Sequence, residues 1–181
     1  PIQMLKRENE ELEAILTRIY HLLHAEDPNH KSDELQEEMK QLGQFYSHYN
    51  RKEKLYFPIL ERYGIFNPCR MMWADDDRIR TLYKGTKRMM ENIPDIDFLH
   101  IKHAFQDLNK AMRDMFLQEK YFLLPIAQSI FQEKDWVAIA KESKAFGYVG
   151  MEPEELLVME SEEDGRVEAD SRETEHYRFG G

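Results

Sequence analysis

Apolar residues recur at intervals of three and four over four long stretches of the chain. That is the period of an amphipathic helix, not the alternation of a strand. The first stretch, from about Ile2 to His24, sets Leu5, Leu12, Ile15, Ile19 and Leu22 on one stripe. Glu26-Asp27-Pro28-Asn29-His30 breaks it, and Ser32 or Asp33 can N-cap the next helix. The second stretch carries Leu35, Met39, Leu42, Tyr46, Tyr49, Tyr56, Leu60 and Tyr63 up to Gly64, with Pro58 expected to kink the helix without ending it. Asn67-Pro68 reads as a turn. The third stretch, about Met71 to Asn92, holds Met72, Ile79, Tyr83 and Met90. After Pro94-Asp95 the fourth runs from about Ile96 to Gln132 through Phe98, Ile101, Phe105, Leu108, Met112, Met115, Phe122 and Ile126, with Pro125 inside the pattern. A shorter helix is expected from Asp135, as N-cap, to Ala145, packing through Trp136, Ile139 and Ala140.

Four amphipathic helices joined by short loops predict an all-α fold, an antiparallel up-down four-helix bundle with a short fifth helix and an acidic tail. The expected divisions are a bundle over 1–134, a short C-terminal helix over 135–147, and a mobile tail or linker over 148–181 leading toward a further domain. The 181 residues carry 25 Lys and Arg against 35 Asp and Glu. From Gly147 onward eleven acids face three bases, so most of the formal net charge of −10 belongs to the tail. A chain of this sign lacks the basic stripe of a nucleic-acid binder. No apolar run reaches the ~20 residues of a membrane span, and no signal peptide opens the sequence. The single Cys69 leaves no internal disulfide framework and fits a reducing, cytoplasmic setting. There is also an internal echo. Lys52-Glu53-Lys54-Leu55-Tyr56-Phe57-Pro58 resembles Glu119-Lys120-Tyr121-Phe122-Leu123-Leu124-Pro125, which hints at a repeated two-helix unit.

The informative residues are charged ones on apolar stripes. Glu119 falls between Met115 and Phe122, Glu53 between Tyr49 and Tyr56, Asp76 between Met72 and Ile79, and Glu8 between Leu5 and Leu12. A carboxylate facing a core is costly unless it is paired, hydrogen-bonded or on a metal. Folding the helices back on one another brings all four to one end of the bundle, together with His48. Glu8, His48, Glu53, Asp76 and Glu119 are therefore candidate ligands of a carboxylate-rich iron or manganese site. The competing reading pairs the acids with Arg51, Lys52, Lys54 and Lys120 as salt bridges and makes Asp75-Asp76-Asp77 the acidic first turn of helix three. His21, His24, His30, His100 and His103 fall at the far end. Glu119 discriminates between the readings: as a metal ligand it makes Glu119→Gln lose metal, whereas as an unpaired buried acid it makes Glu119→Leu stabilising by ~1–4 kcal/mol.

Three stretches resemble the hemerythrin-like (HHE cation-binding) family: His48-Tyr-Asn-Arg-Lys-Glu53-Lys-Leu-Tyr-Phe-Pro58-Ile-Leu-Glu61, Met72-Trp73-Ala-Asp-Asp-Asp-Arg-Ile-Arg80, and Glu119 through Pro125. The similarity covers about residues 1–150 and is greatest to the subgroup joined to a small domain of unknown function and a PAS sensor domain. It implies a four-helix bundle with a non-haem di-iron centre, serving oxygen binding, iron storage, or oxygen and nitric-oxide sensing. Tyr177-Arg178-Phe179-Gly180-Gly181 resembles the connector to the PAS domain, which makes this an expected internal piece of a larger sensor. The departures are specific. The family's first His precedes a proline, and the chain starts at Pro1. Its helix-two Glu, four residues after the His, is Lys52 here. Asp76 and Met115 stand where the resemblance calls for His.

The expected function is a sensory or regulatory module, not an enzyme, with iron as cofactor and oxygen or nitric oxide as ligand. Its expected neighbour is a PAS domain, with no nucleic-acid or membrane partner. Cys69 has no adjacent His, and no Gly-rich phosphate loop occurs. The alternative is a metal-free helical interaction scaffold derived from the same fold. A carboxylate-rich oxidase is disfavoured, because the Glu-x-x-His pairs such bundles use are missing.

Overall fold

The structure, a computed structural model, describes residues 1–150; the acidic stretch beyond them, expected to be a mobile tail, lies outside the described residues. The described residues are helical, without strands. Helix α1 spans Ile2–Leu23, and a single 3₁₀ turn, Pro28–Lys31, leads into α2, Ser32–Leu42. Then come α3, Phe45–Arg51, a π-helical turn, Lys52–Tyr56, and α4, Phe57–Arg62. Helix α5 spans Asn67–Glu91. Helix α6, Phe98–Gln118, passes through a second π-helical turn, Glu119–Leu123, into α7, Leu124–Ile130. Helix α8, Glu133–Ser143, ends in a 3₁₀ turn, Lys144–Phe146. Contacts run around a ring in which α1 touches α2 and α6, and α5 touches the same two helices. The periodic apolar residues fill the space between them, from Leu5, Leu12, Ile15 and Ile19 to Phe105, Leu108 and Met112.

The second expected helix is interrupted in two places the stripe does not show. Helices α2 and α3 part at Gly43, over which the Tyr83 hydroxyl passes to donate to the Met39 carbonyl at 2.7 Å. A Cβ at Gly43 would lie 2.6 Å from that oxygen. The second interruption is the π turn ahead of Pro58. Proline has no N–H and its ring crowds the carbonyl four residues back, so the preceding turn widens. The Phe57 amide accordingly bonds to the Lys52 carbonyl, five residues back. Pro125 has the same effect, and the Leu124 amide reaches Glu119 O. The two π turns coincide with the sequence echo, residue for residue.

Two other boundaries move. Asn67-Pro68 is the first turn of α5 and not a separate turn, since a proline is tolerated where the N–H has no helical partner. Cys69 is therefore helical. Helix α8 starts two residues before Asp135, which sits at the third helical position of a capping box and accepts from the Gln132 amide at 2.9 Å.

Candidate functional site

His48, on α3, has no exposed surface and lies between two equally buried carboxylates. Its Nδ1 is 3.2 Å from Glu8 Oε1 on α1, and its Nε2 is 2.6 Å from Glu119 Oε1. An ionised carboxylate only accepts, so both ring nitrogens donate and the ring is an imidazolium. Burial opposes that charge, but the field of Glu119 and the hydrogen bonds to both acids outweigh it and push His48 up to about 9. Burial likewise opposes ionisation of Glu119. The fields of His48 and Lys52, with hydrogen bonds from His48 and Asn9, hold it down at about 2.

Cations from the same stretch of chain complete the cluster. The Arg51 guanidinium forks onto Glu8, one arm to each oxygen, with Nη2 at 3.1 Å from Oε2. Burial would raise Glu8, yet His48 and Arg51 keep it low. Glu8 Oε2 also accepts from the Val149 amide at 2.7 Å. The Lys52 ammonium stands 2.8 Å from Asp76 Oδ1 on α5 and 3.5 Å from Glu119 Oε2, with no exposed surface. It lies 4.3 Å above the Tyr49 ring. Arg80 donates to Glu53 Oε1 at 2.8 Å. Burial pushes the Asp76 carboxyl up to about 8 against the pull of Lys52, helped by a hydrogen bond with Glu53 and the field of Glu119.

The five candidate ligands are thus all buried. Glu8, His48, Glu119 and Asp76 form one run with Lys52 as a link, while Glu53 joins through Asp76 and Arg80. Of the four bases weighed as partners, Arg51 and Lys52 pair with the acids. Lys54 lies over the Trp73 ring and Lys120 over the Tyr121 ring. Asp75-Asp76-Asp77 lie well inside α5, so the helix-start explanation of their charge fails. His21, His24, His100 and His103 are exposed. Sequence reasoning missed Arg80 and the backbone of residues 147–149. The spacing of Arg80, four after Asp76 on one helix, was the available signal for the first; nothing in the sequence pointed to the second.

An iron centre needs several donors with free lone pairs converging on one point. Among the described residues, no group of three or more His, Cys, Asp or Glu side chains is placed to hold a metal ion. The chemistry of the donors gives the reason. Both nitrogens of the cluster's one imidazole are donors, Arg51 occupies both oxygens of Glu8, and an ammonium stands between Asp76 and Glu119. Four carboxylates face four cationic side chains, His48, Arg51, Lys52 and Arg80. A proton on Asp76 leaves the cluster positive, which disfavours a further cation. Glu53 Oε2, Asp76 Oδ2 and Glu119 Oε2 are buried without hydrogen-bond partners, the one feature that would suit a metal. The raised Asp76 carboxyl, hydrogen-bonded with Glu53, needs no metal to offset its charge, and the Lys52 ammonium faces Glu119 Oε2 at 3.5 Å. The residues present do not fit an iron centre.

A family model described as the hemerythrin HHE cation binding domain matches residues 1–127. The match spans more than half of the chain, and the chain belongs to that family. No curated protein matches it.

Proposed function

We propose that this hemerythrin-family chain is a regulatory four-helix-bundle module that works without a metal centre, its inward acids neutralised by its own cations. The observation that carries the reading is Lys52, whose ammonium lies between Asp76 and Glu119 at a point sealed from water. A buried acid cluster that is already paired has no requirement for a metal cation. Oxygen or nitric-oxide sensing through non-haem iron is the competing reading. A non-enzymatic role is supported by Cys69, whose thiol is pushed up to about 11 by burial and is engaged with the Ile65 carbonyl. Such a thiol is not a poised nucleophile. An adjoining PAS domain in a cytoplasmic sensor is the partner this reading takes from the family resemblance. No helix among the described residues is long and apolar enough to cross a membrane.

The test is the metal content of protein produced with iron, manganese and zinc in turn, combined with thermal unfolding with and without a chelator. The expected result is sub-stoichiometric metal throughout and one unchanged midpoint. A ligand that binds only the folded state must stabilise it. Stoichiometric metal with a midpoint lowered by the chelator overturns the reading and restores the iron-based one.

A further inference from the structure

Beyond α8 the chain turns back onto the charge cluster. Gly147 takes φ 74° and ψ 175°, a region open essentially to glycine alone, and two residues later Val149 is buried. Val149 and Phe146 pack on the apolar core, and three polar contacts to this segment come from cluster residues. Arg51 donates to the Gly147 carbonyl while forked onto Glu8. The Arg51 guanidinium also lies 4.6 Å from the centre of the Tyr148 ring. The Val149 amide donates to Glu8 Oε2. Glu8 therefore serves donors from two distant parts of the chain: His48 and Arg51 on α3, and the backbone of Val149.

A charged acceptor holding a buried amide is sensitive to its own orientation and charge. Glu8 is oriented by His48, His48 by Glu119, and Glu119 faces Lys52, which pairs with Asp76. One unbroken polar run thus links α5 to the segment after α8. We infer that residues 144–149 form a latch whose seating reports the state of the buried cluster. The inference rests on the regulatory reading above and supplies its output: a change that disturbs Glu119 or Lys52 frees Val149 through His48 and Glu8. By linkage the coupling is reciprocal, so freeing the latch disturbs His48.

The test uses the full chain and amide exchange followed by NMR, on protein treated with chelator so that its outcome is independent of metal content. Glu119→Gln, which does not touch the latch, is expected to speed exchange at the Val149 amide by about tenfold or more. The amides of Leu23, fifteen residues beyond Glu8 on α1, and Met90, fourteen beyond Asp76 on α5, should keep their rates. Gly147→Ala works from the other side. An added Cβ meets nothing within 4 Å, so the substitution acts only through the disfavoured backbone region. It is expected to free Val149 and to shift the ring resonances of His48. Unchanged exchange at Val149 in folded Glu119→Gln overturns the coupling. If that variant does not fold, unchanged His48 resonances in Gly147→Ala overturn it instead.

Discussion

An imidazolium clamped between two carboxylates makes the stability of this protein depend on pH in a definite direction. His48 rises from 6.5 to about 9 on folding. Its contribution is therefore complete below pH 6.5 and lost as pH climbs through about 9. Asp76, raised from 3.8 to about 8, acts in the same direction: its contribution is complete below 3.8 and lost as pH climbs through about 8. The thermal midpoint should fall between about pH 6.5 and 9.5. At ~1.4 kcal/mol per unit, His48 supplies up to roughly 3 kcal/mol of this, a drop on the order of 5–10 °C. A midpoint that is flat or rising across that window contradicts the imidazolium assignment. Glu119 acts at the other end, contributing above 4.5 and losing that contribution as pH falls through about 2. Because Glu119 is paired, Glu119→Leu leaves the buried His48 with Glu8 alone and the buried Lys52 with Asp76 alone. The expected cost is about 3–5 kcal/mol, opposite in sign to the gain expected of an unpaired acid. Denaturant unfolding measures it, and adding His48→Leu should recover part of the loss as a coupling between neighbours.

The π turns decide which side chains enter the core. In a regular helix, three consecutive residues cannot share one face. Arg51, Lys52 and Glu53 are nevertheless all buried: the turn from Lys52 to Tyr56 widens the register, and α8 with residues 144–149 covers a second side of this stretch, Gly147 and Tyr148 lying against Arg51. In the echo, Lys52 corresponds to Glu119, so equivalent places in two π turns supply a cation and an anion that face each other across the core. The break at Gly43 is equally specific. Gly43→Ala should cost about 1–3 kcal/mol by forcing the Tyr83 hydroxyl away from Met39 O. Tyr83→Phe removes the clashing oxygen at a cost of about 1 kcal/mol for the lost hydrogen bond. In that background Gly43→Ala should be nearly neutral. A double-mutant cycle reads the difference, and additive effects would show that the Tyr83 hydroxyl does not exclude a Cβ there.

At the scale of the whole molecule, Pro1–Val149 form one unit, which Val149 completes by reaching back to Glu8 near the start of the chain. A chain ending at Gly150 should keep the native exchange protection of α1 and α3. Ending instead at Phe146 removes a buried side chain and a charge-assisted hydrogen bond, together about 2–4 kcal/mol. The expected signature is a lower unfolding midpoint with helicity retained, read by circular dichroism. Equal midpoints for the two chains would mean that the segment lies on the core without contributing to it.

The helical class, the extent of α1 and the burial of Glu8, His48, Glu53, Asp76 and Glu119 were legible in the sequence, because apolar spacing is a local property and a charge that interrupts it has few places to go. The helix breaks were less legible. Gly43 is the residue at the break where Tyr83, from a distant part of the chain, leaves no room for a Cβ, and a proline inside a periodic stretch does not say whether the helix will kink or widen. The choice of cation at the cluster was left open by the sequence, which offered Arg51 and Lys52 beside a metal. Four inward acids state that positive charge is needed, and iron, imidazolium, ammonium and guanidinium all satisfy that requirement on paper. The tertiary structure sets Lys52 and Arg51 within hydrogen-bonding distance of acids on other helices. Long-range electrostatic pairing depends on distances between helices, which no spacing along one helix contains.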